Sequence, residues 1–102
     1  MEYLDPVKVS PANYRLLLKD GNYRMVEMSL PAGTSDIQHS HPDEMVYFIR
    51  GGRVRIHLPD AKSVDLEIPD GHCMKHEPWT HRVENIGTTD IKAILFERMA
   101  AA

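Results

Sequence analysis

The sequence predicts an all-β domain in which about eight short strands close into a barrel or a two-sheet jelly roll. Two observations lead to this prediction: turn-forming residues recur along the chain, and the segments between them are β-rich and too short for ordinary helices. Closing the sheet covers strand edges that would otherwise stay unpaired. Because the chain has 102 residues, 42% of them hydrophobic, we expect one domain with one core over residues 1–102.

Individual strands can be placed in order along the chain. No segment has convincing helical periodicity. Strands are predicted at 23–30, 45–50 and 91–99, and the last two are apolar enough to be buried on both faces.

A hairpin is the most specific prediction. Residues 54–58 and 64–68 alternate apolar and polar side chains, which is the period of half-buried strands. If 59–63 is the loop, Leu58 faces Val64 on the inner side, and Arg55 faces Glu67 on the outer side.

Composition excludes several classes of partner. The formal net charge is −3, with no basic block that would attract a phosphate backbone, so nucleic acid is not expected. No apolar run approaches the roughly 18 residues of a membrane span, and Met1 to Asp5 lack the features of a signal peptide. The single cysteine, Cys73, fits a reducing compartment. We therefore expect a cytoplasmic protein without a membrane partner.

Three histidines are the strongest functional signal. His39 and His41 are one residue apart, so on an extended chain both imidazoles project from the same face. His81, forty residues later, can complete a set around one metal ion. Neutral imidazole suits several transition metals, and three protein ligands leave coordination positions free for other molecules.

The arrangement of these residues resembles the cupins, a family of small β-barrels, and specifically the single-domain, RmlC-like cupin 2 type. The family's first motif, Gly-x5-His-x-His-x3,4-Glu-x6-Gly, falls at 33–52 and is matched through its second histidine. The second motif, Gly-x5-Pro-x-Gly-x2-His-x3-Asn, falls at 71–85, with Gly71 at its start and His81-x3-Asn85 at its close. The matching residues are Gly33, His39, His41, Gly71, His81 and Asn85.

The glutamate of the first motif departs from the pattern. It should follow His41 by the family's interval, at Met45 or Val46, whereas Glu44 lies one position early. In an uninterrupted strand, Met45 shares a face with the histidines and Glu44 points away. The sequence therefore favours Met45 in place of the usual glutamate, although Glu44 can ligate if Pro42 breaks the alternation.

The second motif also departs, because Pro78 stands one position late and brings Trp79 near the mouth of the barrel. No catalytic residue can be named, but Tyr47 and His76 are worth following as a hydrogen-bond donor and a proton-transfer group. The residues expected to line the pocket are Gln38, Met45, Tyr47, Ile49 and Trp79.

The resemblance implies one divalent transition metal, namely Fe, Ni, Mn, Cu or Zn, held by His39, His41 and His81. It implies an enzyme that acts on a small anionic metabolite, as a dioxygenase or as an isomerase or hydrolase. The alternative is a non-catalytic cupin that binds or senses a small ligand. A homodimer is also expected, since small cupins commonly pair.

Overall fold

The computed structural model describes residues 2–100 as nine strands and one short helix. In chain order the elements are α1 (Pro6–Val9), β1 (Tyr14–Asp20), β2 (Tyr23–Leu30), β3 (His39–His41), β4 (Asp43–Arg50), β5 (Gly52–His57), β6 (Ser63–Ile68), β7 (Cys73–His76), β8 (Trp79–Asn85) and β9 (Ile91–Arg98).

The strands form two sheets, and all their pairings are antiparallel. The five-stranded sheet has the order β1-β2-β9-β4-β7, and the four-stranded sheet has the order β3-β8-β5-β6. β6 and β7, consecutive in the chain, are therefore edge strands of different sheets. This architecture confirms the predicted all-β jelly roll, with one strand more than expected.

The core lies between the two sheets. Alternate residues of the strands point inward, and the fully buried ones include Val26 and Leu30 of β2, Val54 of β5 and Ile91 of β9. Since side chains alternate between the faces of a strand, the opposite residues of the five-stranded sheet point outward. Among them, Met45 of β4 and Phe96 of β9 are exposed by 59% and 47%. The expectation that these two strands are buried on both faces is wrong for the isolated chain.

The helix α1 was not predicted from the sequence. Asp5 caps it by accepting a hydrogen bond from the Val7 N–H, and Pro6 occupies its first turn. With four residues, it is too short for periodicity to reveal it. No helix within residues 2–100 has the length and apolar character required to traverse a bilayer.

The predicted hairpin exists, but its register differs by two residues. β5 and β6 pair with Arg55 opposite Asp65 and Ile56 opposite Val64. Leu58 lies in the loop, where its N–H donates to the Lys62 carbonyl at 2.8 Å. A two-residue shift keeps every side chain on its predicted face, which is why alternation alone could not detect the error.

Three residues of the family motifs have structural roles in the turns. Gly33 and Gly71 have φ angles of +74° and +78°, in the left-handed region that favours glycine. The buried Asn85 amide donates to the carbonyls of Leu30 and Thr89 and accepts from the Gly87 N–H. Asn85 therefore joins three backbone segments rather than facing the histidines.

Candidate metal centre

Two adjacent strands of the four-stranded sheet bring the three predicted histidines together in the interior. β3 pairs with β8 so that His39 lies opposite His81, and His41 is two residues further along β3. Their ring centroids are 4.6 to 5.2 Å apart. One ring nitrogen from each lies within 4.8 Å of the other two, and all three side chains are buried.

His41 is oriented by a buried chain of charged groups. Its Nδ1 lies 2.7 Å from Glu97 Oε2, and Glu97 Oε1 accepts a 2.6 Å hydrogen bond from Arg24 Nε. Arg24 also donates to the carboxylate of Asp5. Burial alone would raise the pKa of Glu97, but the His41 hydrogen bond and Arg24 lower it below its ordinary value. An ionised Glu97 accepts a hydrogen bond from the Nδ1–H of His41, which leaves Nε2 as the ring nitrogen available to a metal.

His39 is held by a second set of partners. Its Nδ1 donates to the Ile37 carbonyl at 2.7 Å, which places the lone pair of the neutral ring on Nε2. The hydroxyl of Tyr14 lies 3.1 Å from this Nε2 and donates to Asp36 Oδ2 at 2.7 Å. Burial, reinforced by the neighbouring His41, lowers the pKa of His39 from 6.5 to about 3. His39 is therefore neutral at physiological pH, in the form that binds metals.

His81 differs from both, because neither of its ring nitrogens has a hydrogen-bond partner within residues 2–100 although both are buried. Burial, followed by the proximity of His41 and His39, lowers its pKa well below the ordinary value. A buried polar atom without a partner costs free energy and is rare in native proteins. A metal ion would satisfy one of these nitrogens.

Glu44, and not Met45, points toward the histidines. The prediction that Met45 replaces the usual glutamate is wrong: its side chain is 59% exposed, whereas Glu44 is 5% exposed with Oε2 3.5 Å from His41 Nδ1. Pro42 separates β3 from β4 and resets the alternation on which the prediction rested. Burial raises the pKa of the Glu44 carboxyl, and Trp79 Nε1 donates to it at 3.3 Å.

Trp79 covers His81. The two ring centroids are 4.0 Å apart, and His76 stacks against Trp79 at 3.6 Å. His76 Nδ1 lies 2.6 Å from the Glu77 carbonyl, to which it donates.

A cavity of about 350 Å³ lies beside the histidines, with His41, His81 and Glu44 in its wall. Trp79 and His76 line it as well, together with apolar side chains of both sheets. Three other predicted lining residues are placed elsewhere, because Met45, Tyr47 and Ile49 are exposed on the outer face of β4. Gln38 precedes β3 and is also not among the described residues of the cavity wall.

No protein-family model matches this chain, and none of the curated proteins matches it in sequence. Solved structures do resemble it. A cupin domain from Bordetella pertussis Tohama I covers 98% of this chain and 99% of its own, with a TM-score of 0.77 at 20% identity. The protein has the cupin fold.

Two other structures agree with this assignment. A protein with a double-stranded β-helix domain from Klebsiella pneumoniae has a TM-score of 0.66 at 17% identity, covering 91% of this chain and 79% of its own. An RmlC-like cupin family protein from Methanocaldococcus jannaschii has a TM-score of 0.65 at 14% identity, with 84% and 78% covered. At these identities the likeness establishes the cupin fold and leaves the chemistry to the residues themselves.

Sequence analysis missed the groups that orient the histidines: Asp5, Tyr14, Arg24, Asp36 and Glu97. A signal for two of them is present in the sequence. Arg24 and Glu97 occupy inward positions at the ends of otherwise apolar alternations in β2 and β9, where they pair directly. Opposite charges at inward positions of two predicted strands indicate a buried ion pair.

Proposed function

We propose that this protein binds one divalent transition-metal ion through His39, His41 and His81 and acts on a small ligand in the adjacent cavity. The main support is His81, which has two buried ring nitrogens without partners within residues 2–100, beside two imidazoles that hydrogen bonds already orient. Nitrogen ligands bound at about 2.1 Å can be no more than about 4.2 Å apart. The donor atoms lie within 4.8 Å of one another, so a small contraction suffices.

Glu44 is the candidate for a fourth ligand or for a proton-transfer group. Its carboxyl is buried beside His41, and burial raises its pKa. A buried carboxyl beside the ligand cavity can donate a proton to a bound ligand or accept one from it. When bound, the metal would supply Lewis-acid or redox chemistry, and the protein would supply orientation, a dry cavity and this carboxyl.

Elemental analysis tests the metal site. Protein purified without a histidine tag or chelators is compared with the His39→Ala/His41→Ala variant and with His57→Ala. His57 is a control because it hydrogen-bonds Glu84 on the outer side of the barrel, at 2.9 Å. We expect nearly one equivalent of Fe, Ni, Mn, Cu or Zn in wild type and His57→Ala, and none in the double variant. Wild-type protein that stays metal-free after reconstitution would refute the site.

Two classes of reaction suit this site. We propose an enzyme acting on a small anionic metabolite, as a dioxygenase or as a hydrolase or isomerase, because three neutral ligands leave the metal its full positive charge. Oxygen consumption and ligand turnover by the metal-loaded protein distinguish these reactions from non-catalytic binding, which gives affinity without turnover.

We also propose a homodimer formed through the outer face of the five-stranded sheet. This face exposes several large apolar side chains, and such patches mark interaction surfaces. They are Leu18, Tyr23, Met45, Tyr47 and Phe96. Sedimentation equilibrium should show a dimer for wild type and a monomer for Phe96→Lys, and a monomeric wild type at 100 μM protein would contradict the proposal.

A further inference from the structure

The charge of the cavity wall restricts which ligands can enter. Its ionisable groups are Tyr14, several histidines and two carboxylates, the buried Glu44 and the exposed Glu67, and no lysine or arginine of residues 2–100 contributes. The buried Arg24 is already paired with Glu97 and Asp5. Lysine and arginine therefore offer no positive charge to a ligand in this cavity, and the proposed metal would supply a fixed one.

The shape and polarity of the cavity favour a ligand with an apolar body. Both edge strands, β6 and β7, contribute apolar side chains to its wall, among them Val64, Leu66 and Met74. Val64 and Leu66 are 45% and 44% exposed, so β6 presents an uncovered apolar surface next to the metal site. A volume of about 350 Å³ accommodates on the order of ten water-sized groups.

We propose that the ligand is a hydrophobic molecule with one anionic oxygen head and no second charge. The head ligates the metal and the apolar body fills the cavity beside β6. A second anionic group would lie against a mostly apolar wall with no lysine or arginine to pair with it and with the Glu44 carboxyl nearby, which makes its desolvation unfavourable. This inference rests on the proposed metal site and adds the class of ligand to it.

The test is calorimetric titration of zinc-reconstituted protein with straight-chain monocarboxylates from acetate to octanoate, and with octanedioate. Octanoate and octanedioate have equal carbon numbers and differ by one carboxylate. We expect affinity to rise about fourfold for each methylene buried, and octanedioate to bind at least about tenfold more weakly than octanoate. Affinity independent of chain length, or octanedioate binding as tightly as octanoate, would overturn the inference.

Two matched variants locate the apolar body. Leu66→Asn should weaken octanoate about tenfold while leaving acetate unchanged. Leu17→Asn is the control, because Leu17 is similarly exposed, at 40%, but lies in the irregular part of β1 away from the cavity. If both variants bind octanoate like wild type, the ligand does not lie against β6 and the inference fails.

Zinc content, measured on the same samples, separates the two proposals. Wild-type protein without zinc refutes the metal site and with it the ligand class. Stoichiometric zinc combined with no preference for apolar chains refutes the ligand class alone.

Discussion

The histidines of β3 and the histidine of β8 are supported in opposite ways. His39 and His41 each use Nδ1 in a hydrogen bond of 2.7 Å, to the Ile37 carbonyl and to Glu97. His81 is equally buried and has no such partner within residues 2–100. Two of the three histidines are thus oriented by hydrogen bonds within the protein, and the third has no hydrogen-bond partner among residues 2–100.

This difference indicates where each histidine obtains its stabilisation. The β3 histidines are oriented whether or not a metal is present, so they offer a prepared pair of ligands. His81 imposes a cost on the metal-free fold, since its buried nitrogens have lost water without gaining a partner. Metal binding should therefore stabilise the fold most strongly through His81.

The largest effect is expected at the support of His41. Glu97→Ala leaves Arg24 with a single carboxylate and leaves His41 Nδ1 without its 2.7 Å partner. Removing one member of a buried ion pair costs about 3–5 kcal/mol in the free energy of unfolding, measurable by urea titration. Glu67→Ala is the matched control, because the Glu67 side chain is 82% exposed.

Glu97→Gln retains the shape of the side chain and tests metal binding separately. We expect metal affinity to fall about 10- to 100-fold, as for other residues that orient a metal-ligating histidine. Unchanged metal affinity in Glu97→Gln would show that His41 does not need the Glu97 carboxylate to bind the metal.

The next effect comes from His81 itself, in metal-free protein kept in a chelator. His81→Phe should raise the free energy of unfolding at pH 7 by about 1 kcal/mol, because it removes two unpaired polar atoms. His39→Phe should lower that free energy, because it removes the partner of the Ile37 carbonyl. If His81→Phe has native-like circular dichroism but a lower free energy of unfolding than wild type, then the unpartnered His81 does not destabilise the metal-free fold.

Acidification should increase the difference in free energy of unfolding between His81→Phe and wild type. The folded-state pKa of His81 is well below 6.5, so the unfolded chain binds a proton that the native state excludes. This contribution to stability is intact above pH 6.5 and is lost as the pH falls. Between pH 7 and 5, wild type should lose more free energy of unfolding than His81→Phe, measured as the difference between their urea unfolding free energies.

The smallest effect concerns the support of His39. Tyr14→Phe removes the hydroxyl that donates to Asp36 and contacts His39 Nε2. We expect a loss of about 1 kcal/mol in the free energy of unfolding. Tyr47→Phe, with its side chain on the outer face, should change the unfolding free energy by less than about 0.5 kcal/mol. Equal effects of the two substitutions would mean that the Tyr14 hydroxyl contributes nothing specific.

Much of the site could be predicted from motif spacing. His39 and His41 share one strand, and His81, recognised from the second motif, lies opposite His39 in the β3–β8 pairing. Glu44 was misjudged for an equally local reason, since strand alternation continues only where the strand does, and Pro42 interrupts it. The hairpin register was misjudged because alternation has a period of two and cannot detect a shift of two.

The jelly roll and the pair His39 and His41 follow from the amino-acid sequence, because alternation and turn chemistry act over a few residues, and His81 follows from the second motif. The groups that support these histidines depend on how the strands pack. Glu97 is 56 residues from His41 and 73 from Arg24 along the chain, and it meets both only after β9 has paired with β2 and the sheets have closed. Contacts of this kind depend on the packing of strands remote in sequence, as do the apolar cavity wall and the unpartnered nitrogens of His81.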